Sequence, residues 1–250
     1  MEYIAKKNQQ YRYNCGVISS CANMELARIV FEVSNYEPDL IIFYNGGNDI
    51  MMPLGSDPRP GYPFNFLEYE SNVLFDRNDY PVLALTAYKS NLLRVSFRTY
   101  FTNKFGKQDD LRKQVGYQSE AWEDEIAHQY VSAVAKADKI AKAFGSDFMV
   151  FLQPTVYYKN KCTVSEAKWK RQGTYECDFN LKLRKKILQR MDSSGVSNFF
   201  DLTKIYENDP NESFIDWIHM TQPAIQIVAS RIFIDISDRI KIPKPADVNR

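Results

Sequence analysis

Apolar positions along the chain follow two periods. Short apolar runs, such as Leu40-Ile41-Ile42-Phe43-Tyr44 and the one within 148–153 that closes on Gln153, alternate with longer stretches whose apolar residues recur every three or four positions. The first pattern suits buried strands and the second amphipathic helices. Their alternation predicts an α/β domain with a mostly parallel, doubly wound sheet and helices on both faces.

In chain order, residues 11–15 read as a short strand and residues 21–36 as a helix with Leu26, Ile29, Val30 and Val33 on one face. Pro38 then forces extended backbone into the strand that begins at Leu40, which completes a β-α-β unit. Residues 51–81 carry Pro53, Pro58, Pro60, Pro63 and Pro81 with Tyr62, Phe64, Phe66 and Tyr69 among them, and so predict a long loop of the kind that covers a site. A helix is expected from near Pro81 through Leu85, Tyr88, Leu92 and Val95. A longer one sets Trp122, Ile126, Tyr130, Val134 and Ala141 on one stripe. Residues 180–191 predict a basic helix, residues 198–202 a last strand, and Ile225, Val228, Ala229, Ile232 and Ile236 a closing helix.

Composition narrows the class without naming a chemistry. With 250 residues, 44% hydrophobic and 25% charged, the expectation is a single domain over residues 1–250. A net charge of +1 gives no general reason to expect nucleic acid as a partner, and no run approaches the roughly 18 apolar residues of a membrane span. The basic stretches 159–171 and 182–190 are expected to be solvated faces. Four cysteines, Cys15, Cys21, Cys162 and Cys177, lack the density of a disulfide scaffold and the spacing of a zinc site. They read as mostly buried thiols, with Cys162 and Cys177 the one pair that an oxidising compartment would join. The start of the chain has no signal-peptide pattern, and the compartment stays open.

The candidate chemistry lies at two places. Gly46-Gly47-Asn48-Asp49 closes the first apolar run, and Asp216-Trp217-Ile218-His219 precedes the closing helix. Asn48 offers an amide donor for an oxyanion, although the same residue types are common turn formers. Asp216 and His219, three residues apart, suit an orienting carboxylate and a general base. The alternative is a partly buried histidine beside a helix start, with Thr221 as N-cap and Pro223 in the first turn. The other histidine, His128, stands among Glu123, Asp124 and Glu125 on what reads as a solvated helical stretch.

Together these blocks resemble the SGNH, or GDSL-type, hydrolases, which cleave acyl esters on a flavodoxin-like three-layer αβα fold. Asn14-Cys15-Gly16 and the helix after it are similar to the family's second block, residues 46–49 to its third, and residues 216–219 to its last. Gln153-Pro154 also resembles polysaccharide-modifying members. The resemblance implies Asp216 and His219 as catalytic residues and Asn48, Ser19 and Gly46 around an oxyanion hole. It places Gly47, Asp49, Tyr62 and Phe64 along the substrate, which would be a small-molecule or carbohydrate ester such as an O-acetylated sugar. No metal or organic cofactor is implied.

Two departures stand out. Ser19 occupies the place of a second-block glycine, and a serine tolerates positive φ poorly. More seriously, the sequence contains no Gly-Asp-Ser nucleophile block, and residues 2–10 read like the end of the helix that would follow it. The first strand of a 2-1-3-4-5 sheet lies between the second and third, so its loss would leave interior strand edges unpaired. The expectation is an N-terminally truncated enzyme. Ser19, Ser20 and Cys21 are the alternative nucleophiles, with helix capping as their plainer role. A noncatalytic binding protein that grips a glycan with the aromatic loop competes with the hydrolase, and lid packing is the plainer role of those aromatics. A flavodoxin-like nucleotide binder ranks last because no phosphate-cradling glycine loop is present.

Overall fold

The computed structural model describes residues 12–63, 66–67, 70, 90 and 108–237. Leu40–Asn45 (β1), Asp147–Leu152 (β2) and Phe199–Asp201 (β3) form a parallel sheet in the order β1-β2-β3. Leu40 lies opposite Asp147 and Asn45 opposite Leu152, while Leu152 also faces Asp201 on β3. The central strand β2 is buried from Phe148 to Leu152, which explains its uninterrupted apolar run.

Helices α1 (Ala22–Phe31), α2 (Gly47–Gly55), α3 (Gln108–Gln114), α4 (Glu120–Ala143), α5 (Val164–Gln172), α6 (Thr174–Asp192) and α7 (Gln222–Ser237) connect and flank the strands. On one face, Ile41, Phe43, Phe148 and Val150 pack against Ile29 of α1, Ile126 and Val134 of α4, and Leu183 of α6. The Phe43 and Phe148 rings meet edge to face with centroids 4.9 Å apart. On the other face, Met149 and Phe151 pack with Leu202, Tyr206, Phe214 and Val228 of α7. Helices therefore cover both faces, and the molecule is an α/β fold with a small parallel sheet.

The long amphipathic stripe forms as its periodicity requires. Ser119 caps α4 by accepting the Trp122 N–H at 3.2 Å, and Trp122, Ile126, Tyr130, Val134 and Ala141 are all buried. The acidic stretch beside His128 is less solvated than its composition suggests. Glu123 is buried and paired with Lys182 at 2.6 Å, and Asp124 pairs with Lys186 at 2.7 Å. The basic face of α6 thus docks on α4 rather than facing only water, whereas His128 itself is exposed.

Other elements depart from expectation. Residues 12–17 form no strand, because a strand is stable only when a neighbour pairs with its N–H and C=O groups, and no described strand does so. The helix expected over 21–36 ends at Phe31, where Glu32 leaves helical geometry, and continues as a 3-10 turn over Val33–Tyr36. The loop expected from residue 51 is helical through Gly55, since α2 carries Pro53 inside it. Proline removes the hydrogen bond to Asp49 O, but Ile50, Met52, Pro53 and Leu54 are all buried, and that burial offsets the loss. The helix expected through Leu85 and Val95 lies outside the described residues. The basic helix is longer than expected, running over Thr174–Asp192. All four cysteines are free, Cys162 and Cys177 included, and only Cys21 is fully buried.

Candidate active site

The segments 46–49 and 216–219 meet at the carboxyl end of the sheet, where parallel folds leave room for ligands. The chain leaves β1 at Asn45, turns at Gly46 with φ +101°, and enters α2 at Gly47. A Cβ at Gly46 would lie 2.3 Å from Leu152 Cδ1, so both the dihedral and the space require glycine. The turn aims Asn48 and Asp49 toward the start of α1. Asn48 Nδ2 donates to the Ser20 carbonyl at 2.9 Å, and Asp49 Oδ1 accepts the Ala22 N–H at 2.9 Å. The third block therefore holds the segment that resembles the second.

Ser19 sits in that segment with φ +58°, in the left-handed region usually left to glycine. The backbone conformation that a glycine would supply is present despite the serine side chain. Next to it, Ser20 Oγ donates to Glu25 Oε1 at 2.7 Å, Asn45 Nδ2 donates to Glu25 Oε2, and Tyr130 OH donates to Asn45 Oδ1 at 3.0 Å. Burial raises the Asp49 carboxyl to about 7; the Ala22 N–H opposes this, and Glu25 adds to it. Its Oδ2 is buried without a hydrogen-bond partner. Burial and Asp49 push the Cys21 thiol up to about 12, which makes it a poor nucleophile. Ser20 engages Glu25 rather than a histidine, so neither residue is placed as an activated nucleophile.

At the other block, Asp216 folds back on its own turn. Its Oδ1 accepts the N–H groups of Ile218 at 2.8 Å and His219 at 2.7 Å, and its Oδ2 meets His219 Nδ1 at 2.7 Å. Burial raises this carboxyl, but the two N–H groups and the imidazole outweigh it and hold it below the usual aspartate range. An ionised Asp216 is an acceptor only, so in a neutral His219 this contact favours the tautomer with the proton on Nδ1 and the lone pair on Nε2. The His219 side chain is 77% exposed, against 28% for Asp216. Thr221 precedes α7 as expected of an N-cap, yet its hydroxyl donates to the Glu212 carbonyl at 3.1 Å.

The two halves touch. A Cβ on Gly47 would come within 2.2 Å of Ile218 Cδ1 and 3.2 Å of Gln153 Oε1, so the third block, the Gln-Pro segment and the Asp-His turn share one corner. The Gln153 N–H extends the ladder to Asn45 O at 2.9 Å, and the Val156 N–H donates to Trp217 O at 3.0 Å.

The described part of the aromatic loop is tied to the start of α1. The Gly61 carbonyl accepts from Asn23 Nδ2 at 3.1 Å, which fixes the loop to α1. Tyr62 lies under the Arg59 guanidinium at 4.0 Å and against Phe66 at 5.4 Å, and Arg59 is held by Asp57 and Glu70. Its ring face is used in loop packing. Phe64 and Tyr69 lie outside the described residues.

Several contributors carry no motif in the sequence. Glu25, Asn45 and Tyr130 come together only through tertiary packing. Lys159 and Glu166 form a buried pair beneath the Asp-His turn. Thr163 followed three residues later by Glu166 is a capping-box pattern that marks Glu166, and both of its hydrogen bonds form; nothing local marks Lys159. Among the described residues no group of His, Cys, Asp and Glu is arranged to hold a metal ion, and no helix is long and apolar enough to cross a membrane. No protein-family model, curated protein or solved structure matches the chain.

Proposed function

We propose that this chain carries the oxyanion and acid-base halves of an SGNH-type acyl ester hydrolase. The observation that carries the reading is the 2.7 Å contact between Asp216 Oδ2 and His219 Nδ1, in a turn that meets the Gly47-Asn48 corner through Ile218. An ionised carboxylate on Nδ1 and an exposed ring are what a base needs to take a hydroxyl proton and return it to a leaving alcohol. Asn48 would donate to the oxyanion with the amide hydrogen not used on Ser20, assisted by backbone N–H groups near Ser19. An O-acetylated carbohydrate is the substrate class that the Gln153-Pro154 resemblance favours.

On this reading the nucleophile would be the serine of a Gly-Asp-Ser block, which does not occur among these 250 residues. Among the described residues β1 pairs on one side only, with β2, and Ile42 is 39% exposed. That edge is where the serine-bearing strand would add. The test joins such a strand, ending in Gly-Asp-Ser, to the chain and compares both forms for p-nitrophenyl acetate hydrolysis and serine labelling by a phosphonate. Turnover in the serine-complemented form that His219→Ala abolishes is the expected result. A folded complemented form that neither turns over nor labels, but binds a glycan saturably, would replace the hydrolase with a noncatalytic binder.

A further inference from the structure

The His219 imidazole is mostly in water and its recorded polar partner is Asp216. Its placement therefore comes from the backbone of the turn on which both residues sit. That turn is the tip of a small antiparallel hairpin: Phe214 and Met220 form a bridge, the Ile215 N–H donates to His219 O at 2.7 Å, and the Thr221 N–H donates to Ser213 O at 2.9 Å. The question becomes what holds the base of the hairpin.

A fully buried ion pair does so. Lys159 Nζ lies 2.8 and 2.9 Å from the two carboxylate oxygens of Glu166, and neither side chain has exposed surface. Glu166 Oε1 also accepts the backbone N–H groups of Ser213 at 2.8 Å and Phe214 at 3.1 Å, while Lys159 Nζ donates to the Asn211 carbonyl and to Ser213 Oγ at 3.2 Å. Glu166 Oε2 accepts the Thr163 N–H at 2.9 Å, which ties the carboxylate to the start of α5. One turn later, Trp169 Nε1 donates to the Ile215 carbonyl at 3.1 Å. Three consecutive hairpin residues, Ser213, Phe214 and Ile215, are thus held by side chains from α5.

We propose that Lys159 and Glu166 are positioning residues for the Asp216–His219 pair: the buried ion pair fixes the hairpin base and thereby the orientation in which the imidazole presents Nε2. The proposal rests on the hydrolase reading for its purpose, but the geometry it predicts is observable without turnover. A buried pair is expensive to desolvate, and replacing both members with apolar residues of similar volume is often tolerated by the fold. A pair kept only for stability would have an easy apolar substitute. One that fixes two backbone N–H groups and a carbonyl at a chosen place would not.

The experiment is a long-range ¹H–¹⁵N spectrum of the two histidines in the full chain, recorded where both imidazoles are neutral. Wild type is compared with Asp216→Asn, Lys159→Met, Glu166→Gln and the double Lys159→Met/Glu166→Met variant. Wild type is expected to show His219 as a single Nδ1–H tautomer, with Asp216→Asn losing it. Lys159→Met and the double variant should retain a dispersed amide spectrum and an unchanged His128 signal while His219 moves to a mixture of tautomers. Glu166→Gln, which keeps an acceptor for Ser213 and Phe214, should retain more of the single form than the double variant. An intact fold with His219 still in one tautomer in the double variant overturns the proposal. So does global unfolding of every Lys159 and Glu166 variant, because the pair would then serve the whole fold. If wild type itself shows mixed tautomers that Asp216→Asn does not change, the Asp-His pair and the hydrolase reading fail instead.

Discussion

Asn48 Nδ2 donates to the backbone carbonyl of Ser20 at 2.9 Å, so the side chain that the hydrolase reading assigns to an oxyanion is itself anchored by the segment to which that reading assigns the backbone N–H groups. The two are one unit. Asn48→Ala should therefore have two effects. In the chain as it stands it should lower stability by about 1 kcal/mol, read from urea unfolding. In the serine-complemented form it should also reduce kcat by on the order of 10² to 10³, with a smaller change in KM.

Ser19 at φ +58° gives a prediction of opposite sign. Left-handed backbone disfavours L-residues by more than glycine's extra freedom costs in the unfolded chain, so Ser19→Gly should stabilise by roughly 0.5 to 1 kcal/mol. Ser19→Val should destabilise, because a β-branched side chain is worse in that region. Equal urea midpoints for the three proteins would show that the segment relaxes out of the left-handed conformation.

Asp49 predicts a pH dependence. Its carboxyl is raised from 3.8 to about 7, chiefly by burial, and Glu25 beside it is raised as well. Near pH 4 to 7 the folded state holds a proton that the unfolded state has released. The stability this contributes is complete below the unfolded value and declines as pH rises toward about 7, by on the order of a few kcal/mol. Asp49→Asn keeps an oxygen for the Ala22 N–H and should flatten much of that decline, leaving the part due to Glu25. Urea midpoints at pH 4.5 and 7.5 supply the comparison, with equal slopes in both proteins counting against the assignment.

Gly46 and Gly47 should separate fold from site. Gly46→Ala meets Leu152 and an unfavourable φ of +101°, and should cost roughly 1 to 3 kcal/mol. Gly47→Ala meets the mobile end of Ile218, which can rotate away, so stability should change little while the Asp216 turn shifts. Chemical-shift changes at Ile218 and His219, without a matching fall in unfolding midpoint, would bear this out.

Asp216→Asn tests the role that the hydrolase reading gives His219. In the serine-complemented form it should leave substrate binding largely intact and lower kcat by on the order of 10⁴, because an amide in place of the carboxylate no longer selects the Nδ1–H form. A change confined to KM would mean that Asp216 shapes the substrate pocket rather than the imidazole.

Much of the frame was legible because it follows from local pattern. The run from Leu40 to Tyr44, the stripe from Trp122 to Ala141 and the turn at Gly46 each declare their geometry through period or dihedral. What escaped depends on neighbours far along the chain. Residues 12–15 have strand composition, but a strand is a relation between two segments, and sequence reports only one of them. Pro53 reads as a helix breaker, yet the burial of Ile50 and Leu54 decides otherwise. Lys159 reads as part of a solvated basic stretch, whereas Glu166, Asn211 and Ser213 draw its ammonium wholly inside. At the candidate site, motifs alone nominate Asn48, Asp216 and His219, and the structure brings their two turns to one corner through Gly47 and Ile218. Asn45 and Lys159 could not be named in this way, and the capping box marks Glu166 only as a helix start, because their contacts at the site are hydrogen bonds to residues far along the chain.

Among the described residues β1 pairs on one side only, and that edge also bears on how the protein behaves at concentration. A strand edge left without a partner is a template for any extended chain that meets it, including another molecule's β1. The half-exposed Ile42 adds an apolar contact to that seam. On the hydrolase reading, colloidal stability and catalytic completeness would then answer to the same intervention: a strand added at this edge to deliver a nucleophile would also cover a seam open to self-pairing.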